Sequence, residues 1–160
     1  MVSVRWQHPQ RSRLKCNVDT SFLDQLNITS IGRCIRDDEG TFVLVKNSLS
    51  LSLSLSLSLS LMCSVAVGEA LGLFHALQWL SDMQFDNVDF SLDSKTTTNA
   101  FHHHRSLFNT HFSNSKVEFN IQQANEVAHT FVGVVALSTS PYIYYRVPCC
   151  INSLIINEIL

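Results

Sequence analysis

Residues 14–22, Leu-Lys-Cys-Asn-Val-Asp-Thr-Ser-Phe, alternate apolar and polar side chains and carry an acid near their far end. A period of two predicts a strand with Leu14, Cys16 and Val18 on one face and Lys15, Asn17 and Asp19 on the other. A carboxylate at the end of an otherwise apolar strand is costly to desolvate. The rest of the chain must therefore bring it a cation, a hydrogen-bond partner or a metal.

The 160 residues, 46% apolar and 15% charged, suffice for one sizeable core and predict a single domain. A net charge of -2 gives no global attraction to a polyanion, so any nucleic-acid contact must rest on a local patch. The cysteines, Cys16, Cys34, Cys63, Cys149 and Cys150, show neither zinc spacing nor an even-numbered framework, which fits a reducing compartment. No signal-peptide core and no run of about 18 apolar residues is present. An intracellular protein without a membrane partner, in nucleus or cytoplasm, is the expectation.

Residues 1–13 are polar and read as a lead-in segment rather than a packed element. Residues 30–36 and 41–45 are β-prone runs around Asp37-Asp38-Glu39-Gly40, a hairpin signal. Residues 48–61 are seven Ser-Leu units, a low-complexity insertion that either extends the third strand or loops out. Ala66, Ala70, Leu73, Leu77 and Leu80 then form a helical stripe running to about residue 81, with Glu69 expected in its first turn and Phe74 and Trp79 in the core. Residues 87–93 alternate again and end in Asp93, with Ser94 and Thr96 as candidate caps of a helix over residues 97 to about 107. A strand at 116–121 and a helix through Ala124, Val127, Ala128, Phe131, Val134 and Val135 follow. The order β-β-β-α-β-α-β-α predicts an α/β domain over 14–137, with residues 138–160 as a tail packed on it.

By residue type and spacing, Asp19, Glu69 and Asp93 are acids that a mixed sheet can gather at its strand ends. Oxygen-only ligands favour Mg2+ or Mn2+, and paired ions clamp an in-line phosphoryl displacement. The bland alternative is solvated surface, the reading given to Asp24 and Asp89. His102-His103-His104 points in successive directions about 100° apart and cannot converge on one ion. The adjacent Cys149 and Cys150 receive no role.

The segments 14–22, Ile31-Gly32-Arg33-Cys34-Ile35-Arg36-Asp37, Gly68-Glu69-Ala70-Leu71-Gly72-Leu73, 86–95 and Gln123-Ala124-Asn125-Glu126-Val127-Ala128-His129 together resemble the type 1 ribonuclease H domain of plants, the form related to retroelement ribonuclease H. The resemblance spans nearly the whole chain. It implies a ribonuclease H-like fold, a five-stranded mixed sheet of order 3-2-1-4-5 with helices on both faces, and Mg2+-dependent cleavage of the RNA strand of an RNA:DNA hybrid. It places the family's catalytic acids on Asp19, Glu69 and Asp93, the metal ligands, and the fourth position on His129. It also assigns nucleic-acid contacts to Ser21, Ser94, Lys95 and Asn125, and implies no protein partner, so a monomer is expected.

Three features depart from the family. His129 replaces an acid with a softer neutral ligand, which weakens a second site for Mg2+ and favours Mn2+; Glu126, three residues earlier, is a candidate substitute. The helix after Asp93 is shortened, and the Ser-Leu tract lengthens the link to Glu69. Two other readings therefore stay open beside the ribonuclease: a nucleic-acid-binding relic without catalysis, and a decayed copy with no function.

Overall fold

The computed structural model describes residues 5–23, 28–51, 65–104, 112, 114–135 and 142–159. Its elements, in chain order, are β1 (Leu14–Leu23), β2 (Ile28–Arg36), β3 (Phe42–Leu51), α1 (Val65–Asp82), β4 (Val88–Leu92), α2 (Lys95–His103), β5 (Val117–Phe119), a 3-10 turn (Gln122–Asn125), α3 (Glu126–Val135), β6 (Tyr142–Tyr144) and α4 (Cys149–Ile159). The Ser-Leu tract beyond residue 51 and the segment around Leu107 lie outside the described residues, as does Asp24.

The strands form one mixed sheet in the order β6-β3-β2-β1-β4-β5. β1, β2 and β3 are antiparallel neighbours, while β4 and β5 run parallel to β1. The expected order 3-2-1-4-5 is contained within it, but the sheet has six strands rather than five. The extra strand comes from the tail, where Tyr142-Ile143-Tyr144 pairs antiparallel with Asn47, Lys46 and Val45 of β3. A run of β-branched and aromatic residues fits a pleated half-buried surface, and pairing it along β3 covers an otherwise open edge. Phe131 of α3 meets the Tyr144 ring edge-on at 5.6 Å and ties the strand to the helix layer.

The β2–β3 hairpin follows from its turn residues. Asp37 Oδ1 accepts from the backbone N–H of Glu39 and Thr41 at 3.0 and 2.8 Å. Gly40 takes φ 84°, a conformation that costs glycine nothing.

Helices cover both sheet faces, making two cores. On one face, Cys16, Val18, Ile31, Ile35, Phe90 and Leu92 meet Leu73, Ala76, Trp79 and Leu80 of α1 and Phe101 of α2. On the other, Cys34 and Val45 meet Val127 and Phe131 of α3 and Ile151 and Ile155 of α4. α1 is turned relative to the predicted stripe: Ala70 is exposed and Leu77 half-buried, while Glu69, Gly72, Leu73, Ala76, Trp79 and Leu80 are buried. Gly72 explains the rotation, because a Cβ there would stand 2.6 Å from Thr20 Cγ2, so the small-residue side of the helix settles on β1. Phe74 is thereby left 52% exposed instead of entering the core. Glu69 lies beyond the first turn of α1, which contains no acid.

Two further expectations change for the same reason, that polar groups found buried partners. The segment before β1 is packed: Trp6 is buried, its Nε1 donates to Asn17 Oδ1 at 2.9 Å, and the Arg36 guanidinium sits 3.8 Å from its ring centroid. Asp89 is buried rather than a surface acid, gripped by Arg13 Nε and Nη2 at 3.0 and 2.7 Å and by the Lys116 N–H at 3.0 Å. α2 ends at His103, short of the expected 107, with Ser94 as its N-cap accepting from the Thr97 N–H.

Candidate metal centre

Strand register brings the first two acids together. Val18 of β1 is paired with Leu92, the last residue of the parallel β4, so the residues that follow stand side by side. Asp93 lies just past the carboxyl end of β4, and Asp19 lies midway along β1, which runs on to Leu23 rather than ending at the acid as expected. Glu69 joins them from α1, where its Oε1 accepts a 2.6 Å hydrogen bond from Thr20 Oγ1. One carboxylate oxygen from each of Asp19, Glu69 and Asp93 lies within 4.8 Å of the others.

Burial makes this arrangement electrostatically expensive. Asp19 is 2% exposed and Glu69 5%, with Asp93 half-buried. Desolvation pushes Asp19 up to about 6, helped by the Asp93 charge and opposed by the His129 hydrogen bond. Desolvation likewise pushes Glu69 up to about 7, against the Thr20 hydrogen bond and with the two aspartates adding to the rise. Asp93 is raised for the same first reason. Glu69 Oε2 is buried and has no hydrogen-bond partner among the described residues. Three crowded carboxylates, one with an orphaned oxygen, fit a hard divalent cation: an all-oxygen anionic donor set is what Mg2+ or Mn2+ takes.

His129, on α3, reaches the cluster through Asp19. Its Nδ1 lies 2.8 Å from Asp19 Oδ2 and its Nε2 2.7 Å from Gln122 Nε2. The pair of contacts assigns the tautomer: Nδ1–H donates to the carboxylate and Nε2 accepts from the Gln122 amide. The ring is 49% exposed, so it forms the open wall of the site. Glu126 is exposed at the start of α3, outside the three-carboxylate group.

The remaining candidates separate. Ser21 and Ser94 are half-buried and Lys95 is exposed, leaving all three reachable from solvent. Asn125 is not: it is buried, its Nδ2 donates to the Val18 carbonyl at 2.8 Å, and its Oδ1 accepts from Asn17 Nδ2 at 2.7 Å. With both ends of its amide engaged, it fastens the start of α3 to β1 one residue before Asp19. The chain Trp6–Asn17–Asn125 and the Thr20 hydroxyl were missed at the sequence level. Asn17, an amide within an apolar strand, was the available signal.

A family profile described as reverse transcriptase-like matches residues 17–134, a span that contains Asp19, Glu69, Asp93 and His129. This chain belongs to the reverse transcriptase-like family. It is a ribonuclease H-like domain of a nucleic-acid-related family, as its motifs implied. No curated protein matches the chain. In this reverse transcriptase-like domain no helix among the described residues is long and apolar enough to cross a membrane.

Proposed function

We propose that this domain binds RNA:DNA hybrid and hydrolyses its RNA strand with Mg2+ or Mn2+ held by Asp19, Glu69 and Asp93. The observation that carries the reading is the three-carboxylate group, with Asp19 and Glu69 buried, Asp93 half-buried, and one Glu69 oxygen unpartnered among the described residues. Bound divalent ions supply the positive charge that an in-line phosphodiester displacement requires. The chain's own residues supply the rest. Thr20 fixes Glu69 through its hydroxyl, and parallel pairing holds Asp19 and Asp93 at one height. His129, held by Asp19 and Gln122, walls the exposed side of the site. Ser21, Ser94 and Lys95 border the site as phosphate contacts that position the hybrid.

His129 supports a second reading, hybrid binding without cleavage. Its ring occupies one lone pair of Asp19 and places an imidazole where the resembled family carries an acid. The test is cleavage of a labelled RNA strand paired to DNA, in Mg2+ and separately in Mn2+, by the parent and by Asp93→Asn. Cleavage by the parent alone supports the ribonuclease. Hybrid binding with no cleavage in either metal by folded protein supports the second reading.

A further inference from the structure

About 15 Å along α1 from Glu69, at 1.5 Å per residue, the helix and the β2–β3 pair enclose a second polar site. It is a cavity of about 200 Å³ lined by Arg33, Lys46, Ser48, His75, Trp79 and Asp82 among others. Arg33 and Lys46 are directly paired across β2 and β3, so two cations share one face. Arg33 is 2% exposed; its Nη1 donates to the His75 carbonyl at 3.4 Å and its Nη2 to Ser48 Oγ. Its Nε and the Trp79 Nε1 are buried with no hydrogen-bond partner among the described residues. Both cations lie over the Trp79 ring, at 5.5 Å for Arg33 and 5.3 Å for Lys46.

Among the described residues no carboxylate forms an ion pair with Arg33. The acid nearest in effect is Asp82, exposed at the rim, which acts on Lys46 from a distance. The site carries the mark of uncompensated positive charge. Burial pushes Arg33 down to about 10, and burial followed by the Arg33 charge lowers Lys46. Burial and then both neighbouring cations lower His75. A buried charge without a counter-ion is among the costliest features a fold retains, and a bound anion relieves it.

We infer that this cavity is a binding site for a phosphate group, with Arg33 supplying charge from behind and the half-buried Lys46, Ser48 and His75 supplying reachable donors. A tetrahedral oxyanion matches a lysine point charge beside hydroxyl and imidazole donors, and the volume leaves room for a small attached group. The phosphate comes either free or as a phosphodiester of a nucleic-acid backbone; the chemistry recognised is the same.

The test is thermal unfolding in inorganic phosphate against chloride at matched ionic strength, and separately with a short DNA oligonucleotide lacking terminal phosphates. The proteins are the parent, Lys46→Gln, and Asp93→Asn. Phosphate is expected to raise the Tm of the parent and of Asp93→Asn, with affinity lowered at least about tenfold by Lys46→Gln. His75→Gln replaces Lys46→Gln if that variant fails to fold. A rise with the oligonucleotide alone, lost in the same variant, assigns the site to a nucleic-acid backbone. No rise with either probe, or an equal rise in Lys46→Gln, overturns the inference. Because Asp93→Asn abolishes only the carboxylate site, loss of cleavage and loss of phosphate binding are read independently.

Discussion

At Asp19 and Glu69 burial works against ionisation, holding them at about 6 and about 7 against ordinary values of 3.8 and 4.5. The folded chain therefore binds both protons more tightly than the unfolded chain. Their contribution to stability is complete below about pH 4, drains away as pH climbs through about 6 and 7, and stays lost above that. At 1.4 kcal/mol per pH unit the loss is on the order of a few kcal/mol. Metal-free protein should melt lower at pH 8 than the carboxylates' neutral forms would allow at pH 5, and Mg2+ should restore the difference at pH 8 while doing little at pH 5. Differential scanning calorimetry at both pH values, with and without Mg2+, measures this. His129 makes the complementary prediction. His129→Asp restores an acid beside Asp19, so Mg2+-dependent cleavage should rise about tenfold or more, a barrier change of about 1.4 kcal/mol. The same variant should melt lower without metal, because a fourth carboxylate adds repulsion. Single-turnover rates and melting curves on one preparation check both directions.

Between elements, the decisive joint is the amide chain that fastens α3 to β1. Asn125→Ala removes the donor to Val18 and the acceptor for Asn17, leaving buried polar groups unpaired at a cost of about 1–3 kcal/mol. It should also loosen His129, one turn further along. Urea denaturation gives the first quantity, and the Mg2+ to Mn2+ rate ratio reports the second. Features with a local period were legible in the sequence: the alternation in β1 and β4, the acidic turn with Gly40, the helical pattern of α1, the Ser94 cap. That Asp19, Glu69 and Asp93 gather was also expected from the sequence, but only Asp93 sits at a strand end; Asp19 is midway along β1 and Glu69 is on α1. Long-range partners were not legible. Nothing near Asn125 announces Asn17, nothing in a polar lead-in announces that Trp6 lies over Arg36, and the rotation of α1 depends on Thr20 meeting Gly72. Even the sixth strand is apolar and aromatic in sequence; only the open edge of β3 tells it where to go.

For the whole molecule, a sheet covered on both faces divides stability between two cores, and the α3–α4 core rests partly on the tail. Ile151 is fully buried against Val127, Phe131 and Cys34. Ile151→Ala should cost about 2–5 kcal/mol, seen as a lower urea midpoint with an unchanged slope. Because the carboxylates are anchored on β1, β4 and α1, that variant should keep its Mg2+ affinity while folded. The metal centre itself is tested most directly by calorimetric titration of Mg2+ into the parent, Thr20→Val and Asp93→Asn at pH 8. The expected result is binding by the parent, affinity reduced about 10–100-fold in Thr20→Val, where Glu69 loses its orienting hydroxyl, and none in Asp93→Asn. Equal heats in all three folded proteins, or no binding by the parent, would contradict a divalent-cation site at Asp19, Glu69 and Asp93.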